Sequence, residues 1–397
     1  MIATDRLEQG VFVERSLDRL EAYIVGERFR GYDPYDALTS PIFRLPVLRS
    51  AKVPRLAAIQ AVKRSPVNVR PLLGVRKGYN PVTLALVLEG SVYRALVDTG
   101  RADTHVTRAR DCVSELARVR TPGYGGDCWG YPFEWEARYG RLPANLPTIV
   151  ATGLVTNALF TAHSLLELER TFDMCRSAAR FVLDDLPRTV EGDTFCWGYY
   201  PGDTQRVLNA TMKGARLCAQ VYSVTGEDEY RRPAAETAAY VARRQRDDGS
   251  WPYAVGDTRQ WADSFHTAYV LDAFSSYEHC TGDDGFRPVT EKGWRYYRGS
   301  FFRDETIPRY YPGKDFPIDA TACAQSLLTL CRFGDVDTAS RVASWVIPNM
   351  QCDDGHFAYQ IRRRRTVAIP YMRWASAYMY AGLSRLSYAL ASSEVAT

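Results

Sequence analysis

The sequence predicts an all-α fold, an (α/α)6 toroid in which an outer ring of helices surrounds an inner one. Three observations predict it. An aromatic, Gly/Pro-rich loop recurs five times, each copy leads into an apolar helix, and a helix with a charged face follows.

The loops cover 128–147, 196–203, 247–263, 308–319 and 352–374, and the helices they feed cover 148–167, 204–223, 264–280, 319–333 and 371–391. Helix starts fall roughly 55 residues apart, the length of two helices and two connections. Helices such as DATACAQSLLTLC and SFHTAYVLDAF are apolar nearly all round and belong between neighbours. Partners such as EYRRPAAETAAYVARRQR carry a charged face and belong against water.

Upstream, RSLDRLEAYIVGERF, VPRLAAIQAVKR, PVTLALVLEGSVYRALV and ADTHVTRARDCVSELARV read as helices, with a Pro-rich connection around 66–80. They bring the total to about twelve or thirteen helices, enough for six hairpins, and no segment sustains the period-two alternation of a sheet. An open solenoid is the alternative to closure, but it would leave apolar inner-helix surface at both ends unless capped. The expected organisation is one toroid over 1–397, with 1–80 its more irregular part.

Composition narrows the partners. A formal charge of +4 over 397 residues, with RRRR at 362–365 as the one basic run, does not point to nucleic acid. Nine scattered cysteines without a CxxC pair suit free thiols in a reducing cytosol, and the charged N-terminus offers no signal-peptide core. TIVATGLVTNALFTAHSLLELE is broken by Thr, Asn and His, so no membrane span is expected and the location is read as cytoplasmic.

In a closed ring the inner helices all run one way, so the aromatic loops and the helix N-termini converge at one end, where the dipoles favour an anionic guest. The loop aromatics are Trp129, Tyr131, Trp135, Trp197, Tyr199, Tyr200, Trp251, Tyr253, Trp261, Tyr310, Tyr311, Phe357, Tyr359 and Trp374. Such rings stack on sugars or surround a polyprenyl chain or carbocation.

Polar residues refine the choice. Asp263 and His266 bracket one helix start and Asp319 stands at the next, as helix caps or as a general acid and base. Asn157 and Asn209 lie a little inside two other inner helices, where a buried amide needs a ligand or a partner. Arg373 and Arg309, and more weakly Arg138, are placed to hold a carboxylate or phosphate. The five histidines form no HxxxH or HExxH pair, and no GxSxG, Walker or dinucleotide motif occurs, so neither metal nor cofactor is expected.

QRDDGSWPY resembles the Gln-to-Trp turn of the terpenoid cyclase and prenyltransferase toroids, and MQCDDGHFAYQ echoes it. GYDPYDALTSP, CWGYPFEW, WADSFHTAYVLD, FPIDATACAQ and PYMRWASAYMYAGL together resemble a family associated with polysaccharide biosynthesis, related in fold to the six-hairpin glycosidases, lyases and epimerases. FPIDAT lacks the DxDD acid of one terpenoid class, DDGFRP lacks the full DDxxD of another, and no Asp, Cys and His zinc set can be assembled.

The resemblance implies a carbohydrate-active enzyme on an acidic, uronate-like glycan, by hydrolase, lyase or epimerase chemistry. In that reading Asp263, His266 and Asp319 transfer protons. Trp129, Tyr131, Asn157, Trp197, Asn209, Trp251, Tyr253, Tyr310, Arg373 and Trp374 bind an oligosaccharide or polysaccharide. A terpenoid cyclase or prenyltransferase-like enzyme and a non-catalytic glycan-binding protein are the alternatives.

Overall fold

The computed structural model describes residues 3–137 and 140–395. Among them the helices are, in chain order, α1 (Ala3–Gly26), α2 (Pro46–Ser50), α3 (Lys52–Arg64), α4 (Pro81–Val97), α5 (Ala102–Arg118), α6 (Ile149–Leu166) and α7 (Thr171–Asp184). They continue with α8 (Leu208–Thr225), α9 (Asp228–Ala242), α10 (Ser264–Thr281), α11 (Arg287–Ser300), α12 (Ala320–Arg332), α13 (Val336–Met350) and α14 (Tyr378–Val395).

Helices α4, α6, α8, α10, α12 and α14 pack each against the next and α14 returns to α4, which closes an inner ring. Helices α5, α7, α9, α11 and α13 lie outside it, and α1 supplies the sixth outer position against α14 and α13. Burial follows the sequence pattern. Helix α4 buries 15 of its 17 residues, whereas α5 buries only the stripe His105, Ala109, Cys112, Val113 and Leu116, the spacing of one helical face. Helix α6 is long and apolar enough to cross a membrane, but 61% of that stretch is buried inside the ring.

Polar contacts lock the closure. Ser16 on α1 donates to the Gln351 side chain at 2.9 Å, and that amide donates back to the Ser16 carbonyl at 2.9 Å. Arg94 on α4, fully buried, collects Glu14 and Asp18 from α1 together with Asp98. Gly90 lets the Tyr380 ring lie on α4, since a Cβ there would come within 2.5 Å of it.

Sheet is confined to short pairings in the loops, the longest being Arg188–Glu191 against Thr194–Trp197. Between α1 and α4 the chain makes two 3-10 turns, Asp36–Thr39 and Pro41–Arg44, then α2 and α3, around a small core of Ala37, Leu38, Ile59 and Val62. This segment is pinned to the ring end by Arg55, which reaches Glu134 at 2.6 Å and Glu136 at 3.1 Å.

Three expected stacking residues turn out to be structural. Trp129, Trp197 and Trp251 are 0%, 0% and 3% exposed. The Trp129 indole donates to the Leu116 carbonyl at 2.9 Å and the Trp251 indole to the Val241 carbonyl at 3.1 Å. Both carbonyls lie in the last turn of an outer helix, where the regular i to i+4 bonding runs out. Trp197 and Trp251 also press on Gly214 and Gly293, where a Cβ would come within 2.9 Å and 2.5 Å of other atoms, the indoles among them. Phe357, fully buried, occupies the same place in the fifth loop. In four of the five loops the repeated aromatic is therefore a plug joining the loop to the helices beneath it.

Trp251→Ala should cost about 3–5 kcal/mol in denaturant unfolding. Trp261→Ala, at a side chain 43% exposed, should cost less than half of that.

Candidate active site

The N-terminal ends of α6, α8, α10 and α14, with the loops before them, surround a cavity of about 260 Å³. Thirteen of its nineteen lining residues are aromatic, eight of them tyrosines: Tyr35, Tyr131, Tyr199, Tyr253, Tyr269, Tyr310, Tyr311 and Tyr378. Burial pushes the phenols of Tyr131, Tyr199, Tyr253, Tyr269, Tyr310 and Tyr378 up. At neutral pH these hydroxyls stay protonated and can donate. A second cavity of about 180 Å³ adjoins the first, sharing Trp135, Tyr199, Tyr253 and Trp261, and adds Tyr200, Gln205 and Arg259.

Asp263 and His266 meet on the first turn of α10. Asp263 Oδ1 accepts the His266 backbone N–H at 3.0 Å, the N-cap bond expected of an aspartate, while Oδ2 bonds His266 Nδ1 at 2.6 Å. A carboxylate acceptor places the imidazole proton on Nδ1, which leaves the Nε2 lone pair available. Nε2 has no partner among the described residues. The Asp263 side chain is 2% exposed and that of His266 24%, so the carboxylate supports the ring from behind and the ring faces the cavity. Tyr253, edge-on at 4.7 Å, and Phe265, at 4.1 Å, hold the imidazole plane.

Arg373 lines the cavity from a π-helical turn, Met372–Ala377, that leads into α14. Its expected role as a two-pronged carboxylate clamp is corrected, because Asp33 already fills the fork, with Nε to Oδ2 at 2.6 Å and Nη2 to Oδ1 at 3.0 Å. The guanidinium lies between the rings of Tyr131 and Trp374, 4.8 Å and 4.5 Å from their centroids. Nη1 is the N–H group that Asp33 leaves over.

Asn209 is 3% exposed and lines the cavity, with Nδ2 unpartnered. A buried amide donor without an acceptor costs about 1–3 kcal/mol unless a guest supplies one. Asn157 is not at this site. It stands about 10 Å further along its helix than Asn209 does along its own, and its Oδ1 accepts Gln220 Nε2 at 3.3 Å inside the ring. Of the other arginines, Arg309 pairs with Asp315 at 3.1 Å, and Arg138 lies outside the described residues.

The structure adds residues that sequence reasoning did not select. Phe265 and Tyr269, four apart on one face of α10 just after Asp263, have a helical spacing that could have flagged them. The Tyr269 and Tyr378 hydroxyls meet at 2.5 Å on the cavity floor, and the buried Lys213 Nζ lies 3.5 Å from the Tyr269 ring centroid. Tyr35 and Asp33 come from the DPYD segment more than 200 residues upstream of His266, and no local pattern links them to it. Among the described residues, no group of three His, Cys, Asp or Glu side chains could hold a metal ion.

No protein-family model and no curated protein sequence matches the chain. Solved structures do resemble it in fold. A family 76 glycoside hydrolase (mannosidase) from Bacteroides thetaiotaomicron has a TM-score of 0.60 at 11% identity, over 96% of this chain and 100% of that one. The unsaturated glucuronyl hydrolase of Bacillus sp. GL1 has a TM-score of 0.59 at 13% identity over 96% of both chains. Cellobiose 2-epimerase from Bacillus thermoamylovorans has a TM-score of 0.60 at 9% identity, over 79% of this chain and 90% of that one. These likenesses bear on the fold, an α/α toroid of helical hairpins.

Asp319 is expected from sequence to share the rim with Asp263, but the structure gives it a cap's geometry. Its Oδ1 accepts the N–H groups of Thr321 and Ala322 at 3.0 Å and 3.3 Å, and its Oδ2 accepts Gln360 Nε2 at 2.7 Å. It is 2% exposed and does not line the cavity. Burial pushes its carboxyl from 3.8 up to about 6, although Gln360 and the two amides pull the other way. A carboxyl that binds its proton more tightly when folded stabilises the fold at low pH and loses that contribution as pH rises from about 4 to about 6. Asp319→Asn retains a capping oxygen. It should flatten the fall in unfolding free energy across that window and raise neutral-pH stability by on the order of 1–3 kcal/mol, as measured by denaturant titration at several pH values.

Proposed function

We propose that the chain is a carbohydrate-active enzyme that moves a proton on a sugar ring, with epimerase or lyase chemistry, in polysaccharide biosynthesis or modification. The observation that carries this reading is the pairing of His266 with Asp263, the one carboxylate among the described residues lining the cavity. Glycosidases that use paired carboxylates need a second one across the scissile bond, and Asp319 does not supply it.

The chemistry follows from what each group has free. His266 Nε2 takes the proton from a ring carbon next to a carboxylate or carbonyl, and Asp263 stabilises the imidazolium that forms. The C–H electron pair moves onto the adjoining oxygen, where Arg373 Nη1 and Asn209 Nδ2 are the available donors. A tyrosine hydroxyl then returns a proton to the opposite face of the carbon, giving the epimer. Alternatively, it protonates a departing glycosidic oxygen as the electron pair forms a C=C bond, giving an unsaturated product. A uronate-like residue suits this scheme, since its own carboxylate acidifies the neighbouring C–H and offers Nη1 an anion.

Tyr131, Tyr253, Tyr310 and Trp374 supply flat surface for the sugar ring. Eight of the thirteen rings carry hydroxyls, which favours a hydroxylated guest over a carbocation. The carbohydrate-active neighbours in the fold comparison, an epimerase among them, support the same class.

The test is incubation with uronate-containing oligosaccharides in D₂O, following deuterium uptake at the carbon next to the carboxylate and the ultraviolet absorbance of unsaturated uronate. Turnover should fall roughly 10²–10⁴-fold in His266→Ala, with binding kept within a few-fold. Oligosaccharide binding by the wild type without deuterium uptake or elimination would sink the enzyme reading in favour of a glycan-binding protein.

A further inference from the structure

From Ala37 to Leu88 the chain contains no Asp or Glu but nine Lys and Arg, and those nine charges against a total of +4 leave −5 on the rest. Several of the nine are paired within the fold. Arg55 and Arg70 are buried against Glu134, Glu136 and Asp36, and Lys63 folds onto Tyr35. Lys77 bonds Glu27 at 2.6 Å, and Arg44, Arg49, Arg64 and Arg76 face solvent.

The same stretch displays apolar side chains that the fold does not cover. Leu72, Val47 and Val53, at 88%, 78% and 77%, are the three most exposed large hydrophobics among the described residues, and Ile42, Leu45 and Val67 are exposed beside them in sequence. The segment is tied into one unit. Ser40 Oγ donates to the Leu73 carbonyl at 2.6 Å, Gly74 abuts Pro41, and the turns Asp36–Thr39 and Pro41–Arg44 pack in sequence onto α2 and α3.

We infer that this face docks the protein on an anionic lipid surface, with Val47, Val53 and Leu72 entering the boundary between headgroups and acyl chains and the exposed arginines pairing with the headgroups. Charge decides the occupant. Basic residues interspersed with aliphatic ones match a surface that is anionic outside and apolar within. A second copy meeting the first through the same face would set cations against cations. The exposed apolar residues are aliphatic, whereas single-stranded nucleic acid is held by stacking on aromatic rings. The segment also reaches the cavity, since Lys63 on α3 bonds the hydroxyl of the cavity-lining Tyr35 at 2.5 Å. This inference is independent of the reaction proposed above.

Co-sedimentation of the full chain with vesicles tests it. Binding to phosphatidylcholine vesicles containing phosphatidylserine should exceed binding to pure phosphatidylcholine by about tenfold or more, and should weaken steeply as salt rises. Combined Val47→Ser, Val53→Ser and Leu72→Ser should cut the bound fraction by about fivefold or more with an unchanged thermal unfolding curve. Arg44→Gln with Arg49→Gln should remove much of the preference for the anionic vesicles, and Val190→Ser, on a separate hairpin, should change nothing. Equal binding to both vesicle types, no binding to either, or a serine triple variant that binds like wild type would each overturn the proposal. So would equally tight capture by soluble polyglutamate, or light scattering that shows self-association abolished by the triple variant.

Discussion

A ring of helices exists only if its first and last members meet, and here that meeting is the packing of α1 and α4 on α14. Closure gives each inner helix two inner neighbours, so apolar surface nearly all round α4 or α8 stays covered. It also makes every inner helix start at the same end, because each outer helix returns the chain to where the previous inner one began. The cavity is a product of that shared direction. No single loop builds it, and Tyr131, Tyr253, Tyr310 and Trp374 come to it from four different loops.

Within that frame Asp263 does two things at once. One oxygen caps α10 and the other fixes the tautomer of His266. The two roles support each other, because the bond that anchors the helix start also holds the carboxylate where the imidazole needs it. Asp319 shows what an equivalent position becomes without a histidine three residues on. Its second oxygen turns to Gln360, and a carboxylate of the same kind at the next helix start is absorbed into structure.

Much of the architecture was legible in the sequence. The five loop copies and the contrast between apolar and amphipathic helices specify hairpins, their number and their ring, since both signals are local and periodic. The site was half legible. Asp263 and His266 stand three residues apart on one helix turn, Tyr131, Tyr253, Tyr310 and Trp374 follow from loop position, and Asn209 follows from its place near an inner-helix start. The tryptophans misled because a recurring aromatic serves a repeated packing joint as readily as a repeated ligand contact, and sequence does not say which way a ring points. Trp129 and Trp251 spend their N–H on outer-helix carbonyls, a bond visible only once the helices are placed. Asp33, which takes the fork of Arg373, lies 340 positions away, and no local pattern announces a partner at that distance.

That separation has a consequence for how the molecule comes into being. The Arg373–Asp33 pair and the Ser16–Gln351 bonds join segments more than 330 positions apart, so the part of the cavity wall that Arg373 forms cannot be set during synthesis until the chain has been made past that residue. Hairpins built from neighbouring helices can collapse early, as local contacts form fastest, and the long-range seam closes last. Until then α1 waits with its apolar stripe uncovered, a period in which the nascent chain needs protection from its neighbours.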